Sequence, residues 1–156
     1  NENHISEEAV LAPYRSAGSD YFHVEPHCSQ LGWVKEFSKY DAGWLHSFDS
    51  LNCNSLMRAG WSDLNIPARI NTLAAAGIPM IQKSNSEHIV AMRNYVKKNN
   101  MGVFYDDLND LVVQLKDKEL LKRIELNVRK KRLEFTFDYH IPYIIDFFRK
   151  VINQHK

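Results

Sequence analysis

Apolar residues along this chain alternate between short continuous runs and sets spaced three and four positions apart. The runs at residues 78–81 and 101–105 are typical of buried strands. Helical spacing marks one set within residues 108–115 and another within residues 141–152. Because predicted strands alternate with predicted helices, the pattern indicates βαβ units, in which a parallel sheet carries helices on its faces.

The first half of the chain predicts further elements of the same kind. Residues 21–25 alternate and are rich in aromatic and β-branched side chains, which predicts a strand closed by Pro26, and residues 42–48 predict another. Residues 49–64 form a long polar loop, and Ser86 is a candidate helix cap. Additional helices are predicted from apolar sets at Leu31, Val34 and Phe37, at Ile89, Met92 and Val96, and at Leu121, Ile124 and Val128.

Residues 63–81 predict a polar loop, a helix, a tight turn and a buried strand in direct succession. Pro67 suits a first helical turn, and Gly77 suits the position that ends a helix. A helix N-terminus presents unpaired backbone N–H groups and partial positive charge, and Arg69 adds a full charge. The segment therefore predicts a site for an anionic ligand such as a diphosphate.

The same segment resembles the donor-binding segment of GT-B-type glycosyltransferases of the glycogen-synthase-like group. In that family a Pro-x-(Lys/Arg)-x-x-(Glu)-x-x-Ala-x-Gly-x-Pro pattern precedes a Val/Ile-rich strand. The residues in register with the pattern are Pro67, Arg69, Ala75, Gly77 and Pro79. Many members carry a glutamate that hydrogen-bonds the ribose, where this chain has Thr72.

The resemblance implies a Rossmann-like three-layer α/β domain, with a parallel sheet flanked by helices and with closing C-terminal helices. Residues 1–156 would form a single donor-binding domain, the C-terminal half of the enzyme, truncated on its N-terminal side. The acceptor-binding domain would lie outside this chain, which alone would be an inactive part. The implied activity is transfer of a sugar from a nucleotide-diphosphate sugar to a hydroxyl acceptor, as in polysaccharide biosynthesis. Thr72 favours the alternative of a degenerate, non-catalytic binding or assembly module.

Candidate site residues follow from the rule that parallel sheets bind ligands beyond the carboxyl ends of their strands. The polar residues expected at that edge are His46, Ser47, Asp63, Asn65, Arg69, Asn71, Thr72, Lys83, Ser84 and Asn85. Of these, Asp63, Asn65, Arg69, Asn71, Thr72 and Ser84, together with Pro67, are predicted to bind the nucleotide sugar. Arg69 and His46 are the predicted catalytic residues, through stabilisation of the leaving diphosphate. The alternatives are an exposed helical arginine and a structural histidine.

Charge and composition bear on nucleic-acid binding, membrane contact and metal binding. With 20 basic and 19 acidic residues, the net charge of +1 argues against a nucleic-acid partner. The basic run at residues 129–132 is either a solvated helix face or a peripheral contact with an anionic membrane. No Asp-x-Asp motif or His/Cys cluster predicts a metal, and no cofactor is expected besides the donor substrate.

Cysteine content and hydropathy bear on the compartment. Cys28 and Cys53 lie 25 positions apart and favour two small, free thiols over a disulfide, which is typical of a reducing cytosol. No apolar run approaches the roughly 20 residues of a transmembrane helix. A cytoplasmic location, with the inner face of the membrane as a variant, is therefore the prediction.

Overall fold

The computed structural model describes residues 7–18, 20–25 and 28–154 and shows an α/β arrangement. Three strands, β1 (Gly43–Trp44), β2 (Met80–Lys83) and β3 (Gly102–Tyr105), form a parallel sheet in the order β1-β2-β3. Gly43 pairs with Met80, which in turn pairs with Gly102. The predicted parallel sheet flanked by helices is confirmed.

Eight α-helices occur within the described residues, and most surround this sheet. In chain order they are α1 (Glu7–Ala17), α2 (Trp33–Phe37), α3 (Trp61–Leu64), α4 (Arg69–Ala76), α5 (Ala91–Lys98), α6 (Leu108–Lys116), α7 (Lys118–Lys131) and α8 (Phe137–Gln154). Short 3₁₀ turns lie at Gln30–Gly32, Leu56–Arg58 and Arg132–Phe135. Helix α4 connects β1 with β2, and α5 connects β2 with β3.

The core consists of apolar side chains from the sheet, from α4 and α5, and from the inner faces of α6 and α7. Besides Ala74, Ala76 and Tyr105, its buried members are Leu45, Ile70, Leu73, Ile78, Met80, Ile81, Val90, Met92, Val96, Met101, Val103, Leu111, Ile124 and Val128. The helical spacing in the sequence therefore identified the buried faces of α5 and α7. In α6 it did so for Leu111 and Leu115, whereas Leu108 and Val112 of the same set are exposed.

Helix α4 ends as predicted and begins slightly later than predicted. Gly77 adopts the left-handed conformation, with φ of 76°, and its N–H donates to Ala74. A Cβ at this position would also lie only 2.7 Å from Cγ of Arg129, which packs over the turn. The helix starts at Arg69, because Pro67 precedes the N-cap residue Ala68 rather than opening the first turn.

Two strand predictions require correction. The strand predicted at residues 21–25 is wrong: this stretch is a turn followed by irregular chain, and its predicted end at Pro26 lies outside the described residues. The Phe22 N–H donates to Gly18 at 2.7 Å, and its ring contacts that of Tyr14. The segment thus packs on α1 instead of joining the sheet.

The strand predicted at residues 42–48 contains only the two residues of β1 that pair with β2. The Leu45 N–H still donates to Ile81, but the chain then leaves the sheet because side-chain bonds from Asn85 hold Phe48 and Ser50. The long loop that follows is interrupted by Leu56–Arg58 and by α3.

The helix predicted from Ser86 begins at Ala91. Residue Val90 is extended, and the side chain of Asn52 bonds both backbone groups of Ile89. These bonds hold the chain in a non-helical conformation until α5 can begin.

The closing helix α8 is the longest in the described part of the chain, yet none of its residues is buried. Its apolar spacing predicted the helix correctly. Across residues 7–18, 20–25 and 28–154, no helix has both the length and the apolar character needed to cross a membrane.

Candidate functional site

The start of α4 lies beside the carboxyl end of β1. This placement is fixed by Arg69 in the first turn of the helix, whose Nη1 donates to the Trp44 carbonyl at 3.2 Å. Arg69 is otherwise exposed, so most of its guanidinium donors face solvent. The sheet edge where parallel folds bind ligands therefore carries a cation.

The N-terminus of α4 has no side-chain cap, because its N-cap residue is Ala68. The Ile70 N–H is satisfied by the Pro67 carbonyl at 3.1 Å, and the Asn71 N–H by the Ala68 carbonyl at 2.9 Å. Among the residues that the structure describes, the N–H groups of Ala68 and Arg69 find no acceptor. Two backbone donors and one guanidinium thus remain for an anion at the positive end of the helix dipole.

A cavity of about 680 Å³ lies beside β1 and between α2 and α4. Its size is that of a small-molecule site. Aromatic rings and a few polar groups line it: Glu25, Cys28, Trp33, Glu36, Phe37, Tyr40, Trp44, Arg69 and Thr72. Trp33 is held in place by its indole N–H, which donates to the Cys28 carbonyl at 3.0 Å. Arg69 and Thr72, one turn apart on α4, supply polar groups to an otherwise largely aromatic wall.

A second cavity, of about 830 Å³, adjoins the first, with which it shares Tyr40, Ala42 and Ile78, and opens where Ile78 and Pro79 precede β2. Its charged groups are largely paired. Glu125 accepts from Lys122 at 2.9 Å and from Arg129 at 2.8 Å, and these two cations hold the pKa of Glu125 below its usual value. It contains none of the predicted site residues, and it lies away from the carboxyl ends of the strands.

Three other predicted residues, Ser47, Lys83 and Asn85, lie in a polar region at the carboxyl ends of β1 and β2. Lys83 forms an ion pair with Asp49, which raises the pKa of the lysine. The hydroxyls of Ser47 and Tyr105 lie 2.7 Å apart. Asn85, at φ of 44°, donates to Phe48 and accepts from Ser50, so it holds the loop after β1 against the end of β2.

The centre of this loop is Asn52, which is buried and has all its side-chain groups bonded. Its Nδ2 donates to Ile89 at 2.8 Å, and its Oδ1 accepts from the N–H groups of Ile89 and Asn54 at 3.0 and 3.1 Å. His88 accepts from the Cys53 N–H through Nδ1 at 3.0 Å. The loop is thus fastened to the segment between β2 and α5.

Ser50, Asn52, Asp63 and Asn85 are here called the loop cluster. Asp63 is its charged member, with 7% of its surface exposed. The nearby Ser50 hydroxyl and the Gly60 N–H, which donates at 2.9 Å, lower the pKa of Asp63 below its ordinary value, against the opposing effect of burial. The hydroxyl does not complete a well-formed hydrogen bond, since Oδ1 has no partner among the described residues. The carboxylate is therefore ionised but only half satisfied.

Gln82 is a second buried polar group of this kind. It is 1% exposed on the central strand β2, and neither its Oε1 nor its Nε2 has a partner within the described part of the chain. A buried amide without hydrogen-bond partners destabilises the folded state unless a water molecule or a ligand forms those hydrogen bonds.

The structure separates the predicted site residues. Arg69 and Thr72 line the cavity beside β1, and Pro67 lies immediately before α4. The other predicted residues do not line it: His46 and Asn71 are exposed, Asn65 ends α3, Asp63 belongs to the loop cluster, and the Ser84 N–H donates to the Tyr105 carbonyl at 2.8 Å.

The aromatic wall was not predicted as part of a site. Trp33 and Tyr40 belong to a segment that the sequence identified only as a one-sided helix, and Trp44 belongs to a predicted strand. Trp61 is 81% exposed and lies outside this lining. No local spacing signals the wall, because α2 and β1 form it jointly. Both cysteines are free thiols.

A scan against models of protein families, a search of curated proteins and a search of solved structures each found no match to this chain.

Proposed function

We propose that this chain is the donor-binding domain of a glycosyltransferase and holds the diphosphate of a nucleotide sugar at the start of α4. The enzyme would transfer the sugar to a hydroxyl acceptor presented by a further domain. The sheet with its crossover helices suits a Rossmann-like domain of GT-B type, and the pattern from Pro67 to Pro79 is the sequence support for that family.

One observation carries the proposal: the uncapped N-terminus of α4 and the Arg69 guanidinium point to the same sheet edge. Free N–H groups at a helix start bind phosphate oxygens, and a guanidinium matches them with a planar fork of donors. Arg69 donates to Trp44 through Nη1. That bond leaves its remaining N–H groups for a ligand and fixes the side chain beside the cavity.

In this proposal the cavity beside β1 would hold the base, the ribose and the sugar of the nucleotide sugar. A base or a sugar face would stack on Trp33, Tyr40 or Trp44, because aromatic faces bind flat rings with apolar area. The Thr72 hydroxyl would bond a ribose or sugar hydroxyl in place of the glutamate that many family members use.

Catalysis in this proposal is electrostatic. Negative charge grows on the diphosphate as the sugar departs, and the donors at the start of α4 stabilise that charge without rearranging. His46, exposed after β1, would donate a proton or hydrogen bond to the leaving group. The acceptor domain would supply the remaining groups.

The alternative proposal is a degenerate domain of the same fold that serves in assembly. Two observations favour it: Thr72 replaces the acidic residue of the family pattern, and Arg69 already has a partner in the Trp44 carbonyl. An arginine used only to cover the end of β1 would have no role in ligand binding.

Isothermal titration of the parent protein and of Arg69→Ala with UDP, GDP and ADP tests the proposal. The substitution removes the guanidinium without touching the core. We expect saturable binding of one nucleotide, weakened about tenfold by the substitution, or about 1.4 kcal/mol. Binding should also change the fluorescence of Trp33 and Trp44 in the cavity.

Arg123→Ala is the matched control, since this arginine is exposed on α7 and lines neither cavity. It should leave affinity unchanged. An equal loss of nucleotide affinity in both variants would mean that Arg69 acts only through the overall charge of the protein. If none of the three nucleotides bound, the assembly module would be favoured.

A further inference from the structure

Helix α8 leaves its apolar side uncovered. Placed on a helical wheel at about 100° per residue, its isoleucines, valine and phenylalanines occupy one arc of about 160°, which also contains the polar His140. They are Phe137, Ile141, Ile144, Ile145, Phe147, Phe148, Val151 and Ile152, here called the α8 apolar face. Phe147, Phe148 and Ile152 each keep more than half of their surface exposed. A largely apolar patch of this kind on a folded chain marks an interaction surface.

The opposite side of α8 is polar and carries no net charge. Asp138 and Asp146 balance Arg149 and Lys150, and Lys150 is paired with Asp146 at 2.7 Å. The helix thus has the two-sided layout of segments that lie in a membrane interface. Any electrostatic attraction must come from residues outside the helix.

A cluster of cations lies where α8 joins the rest of the protein. It consists of Lys97, Lys98, Lys130, Lys131 and Arg132, here called the basic patch. The patch forms because the ends of α5 and α7 meet: Lys131 Nζ donates to Asn99 Oδ1 at 3.0 Å, and Asn127 donates to the carbonyls of Asn99 and Asn100. The acidic residue beside it is Glu134.

The patch and the apolar face adjoin each other. The 3₁₀ turn Arg132–Phe135 begins in the patch and ends next to the first residues of α8. Phe135 anchors this turn by an edge-on contact with the Tyr95 ring of α5, with centroids 6.1 Å apart. The junction is therefore fixed on the body of the protein.

We propose that the α8 apolar face and the basic patch together dock this protein on an anionic lipid bilayer, with α8 lying in the interface. Apolar side chains would enter the boundary between headgroups and acyl chains, while the lysines and Arg132 contact lipid phosphates. The inference goes beyond nucleotide binding and does not depend on it.

Charge favours a bilayer over a second copy of this chain. A two-fold interface along α8 would run the two helices antiparallel and set each basic patch beside the last turns of the partner's helix, where Asp146 is already paired with Lys150. A second copy would therefore offer the patch no free carboxylate there, whereas an anionic bilayer supplies lipid phosphates.

Vesicle flotation tests the proposal with two compositions, phosphatidylcholine alone and phosphatidylcholine with about 30% phosphatidylglycerol. We expect binding to the anionic vesicles, weakened by a rise in salt from about 0.1 to 0.5 M because exposed charges are screened. Phe147→Ser with Phe148→Ser, and separately Lys97→Glu with Lys130→Glu, should each lower the partition coefficient about tenfold or more.

Matched controls make the same chemical changes elsewhere. Val113→Ser removes an exposed apolar side chain from α6, and Lys116→Glu reverses a charge at the end of that helix. Both should bind as the parent protein does, and circular dichroism should show unchanged folding in every variant. A control that weakens binding as much as the test variants would overturn the proposal.

Three further results would also overturn it. Equal binding to neutral vesicles would exclude a role for the basic patch. Absence of vesicle binding would exclude the bilayer altogether. Concentration-dependent self-association in analytical ultracentrifugation that is lost in the Phe147 and Phe148 variant, without vesicle binding, would assign the face to a second copy.

Discussion

Two polar regions meet the carboxyl edge of the sheet, and they differ in how their hydrogen bonds are used. Asn52, in the loop after β1, and Asn85, just after β2, each bond backbone groups of the other segment, so their polar atoms are satisfied inside the protein. At the start of α4, Ala68 offers no cap, and two N–H groups lack partners within the described residues.

The difference separates polar groups that hold the fold together from polar groups that are free to bind a ligand. The internal bonds hold a loop whose large apolar side chains, such as Leu51 and Met57, are exposed and so do not anchor it. The N–H groups at the start of α4 lie on exposed residues, where water bonds them until a ligand takes its place. The loop cluster is therefore the scaffold, and the start of α4 is the candidate binding element.

The largest effect is expected from Asn52→Ala, which tests the scaffold. The substitution removes three hydrogen bonds and leaves the two backbone groups of Ile89 unsatisfied. We expect the free energy of unfolding to fall by about 3 kcal/mol, measured by urea denaturation.

Asn94→Ala is the control for that measurement, since this asparagine is exposed on α5 and its side chain bonds, within the described residues, only the neighbouring Arg93. Its effect should stay within about 0.5 kcal/mol. If Asn52→Ala behaved in the same way, the loop would not depend on its internal bonds.

Asp63→Asn should have a smaller effect that depends on pH. The pKa of Asp63 is lowered by Ser50 and Gly60, so ionisation favours the folded state at pH values above 3.8, the ordinary value. This contribution is lost as the pH falls below 3.8 towards the lowered pKa of the folded state. The variant should lose about 1 kcal/mol at pH 7, with the difference from the parent protein shrinking in acid.

Denaturation curves between pH 7 and about pH 3 measure that difference. Asp106→Asn changes an exposed carboxylate and should give a difference near zero throughout. A pH-independent loss for Asp63→Asn would mean that shape, and not charge, is what the site requires.

The smallest effect, of opposite sign, is expected from Gln82→Met. Because the buried amide has no partner among the described residues, an apolar side chain of similar volume should stabilise the fold by about 1 kcal/mol. Thermal unfolding of the nucleotide-free protein measures it.

Gln114→Met makes the same change where the amide is used, since Nε2 donates to the Phe104 carbonyl at 2.7 Å and to Asp110. This control should be destabilised. If Gln82→Met were destabilised as well, the Gln82 amide would have a partner, such as a bound water, that completes its hydrogen bonds.

The regular elements were predictable where a single face decides burial. The apolar sets around Met92 and Ile124 give buried faces because a helix repeats every 3.6 residues and the core takes one side. Gly77 ends α4 as expected, because its backbone conformation is one that other residues rarely adopt. These outcomes depend on local geometry alone.

Elements that depend on a distant partner were not predictable. Residues 21–25 have the alternation of a strand, but Phe22 packs on α1, where there is no strand to pair with. The length of β1 and the start of α5 are set by Asn85 and Asn52, each bonding a segment more than 30 positions away.

The sequence by itself determined the alternation of strands and helices and the place of Arg69 in the first turn of α4, because both follow from spacing along the chain. Only the tertiary structure decided that Arg69 and Thr72 share a cavity with Trp33 and Tyr40, and that Asp63 lies elsewhere. Burial and mutual distance depend on how elements pack, and packing joins residues that no local spacing relates.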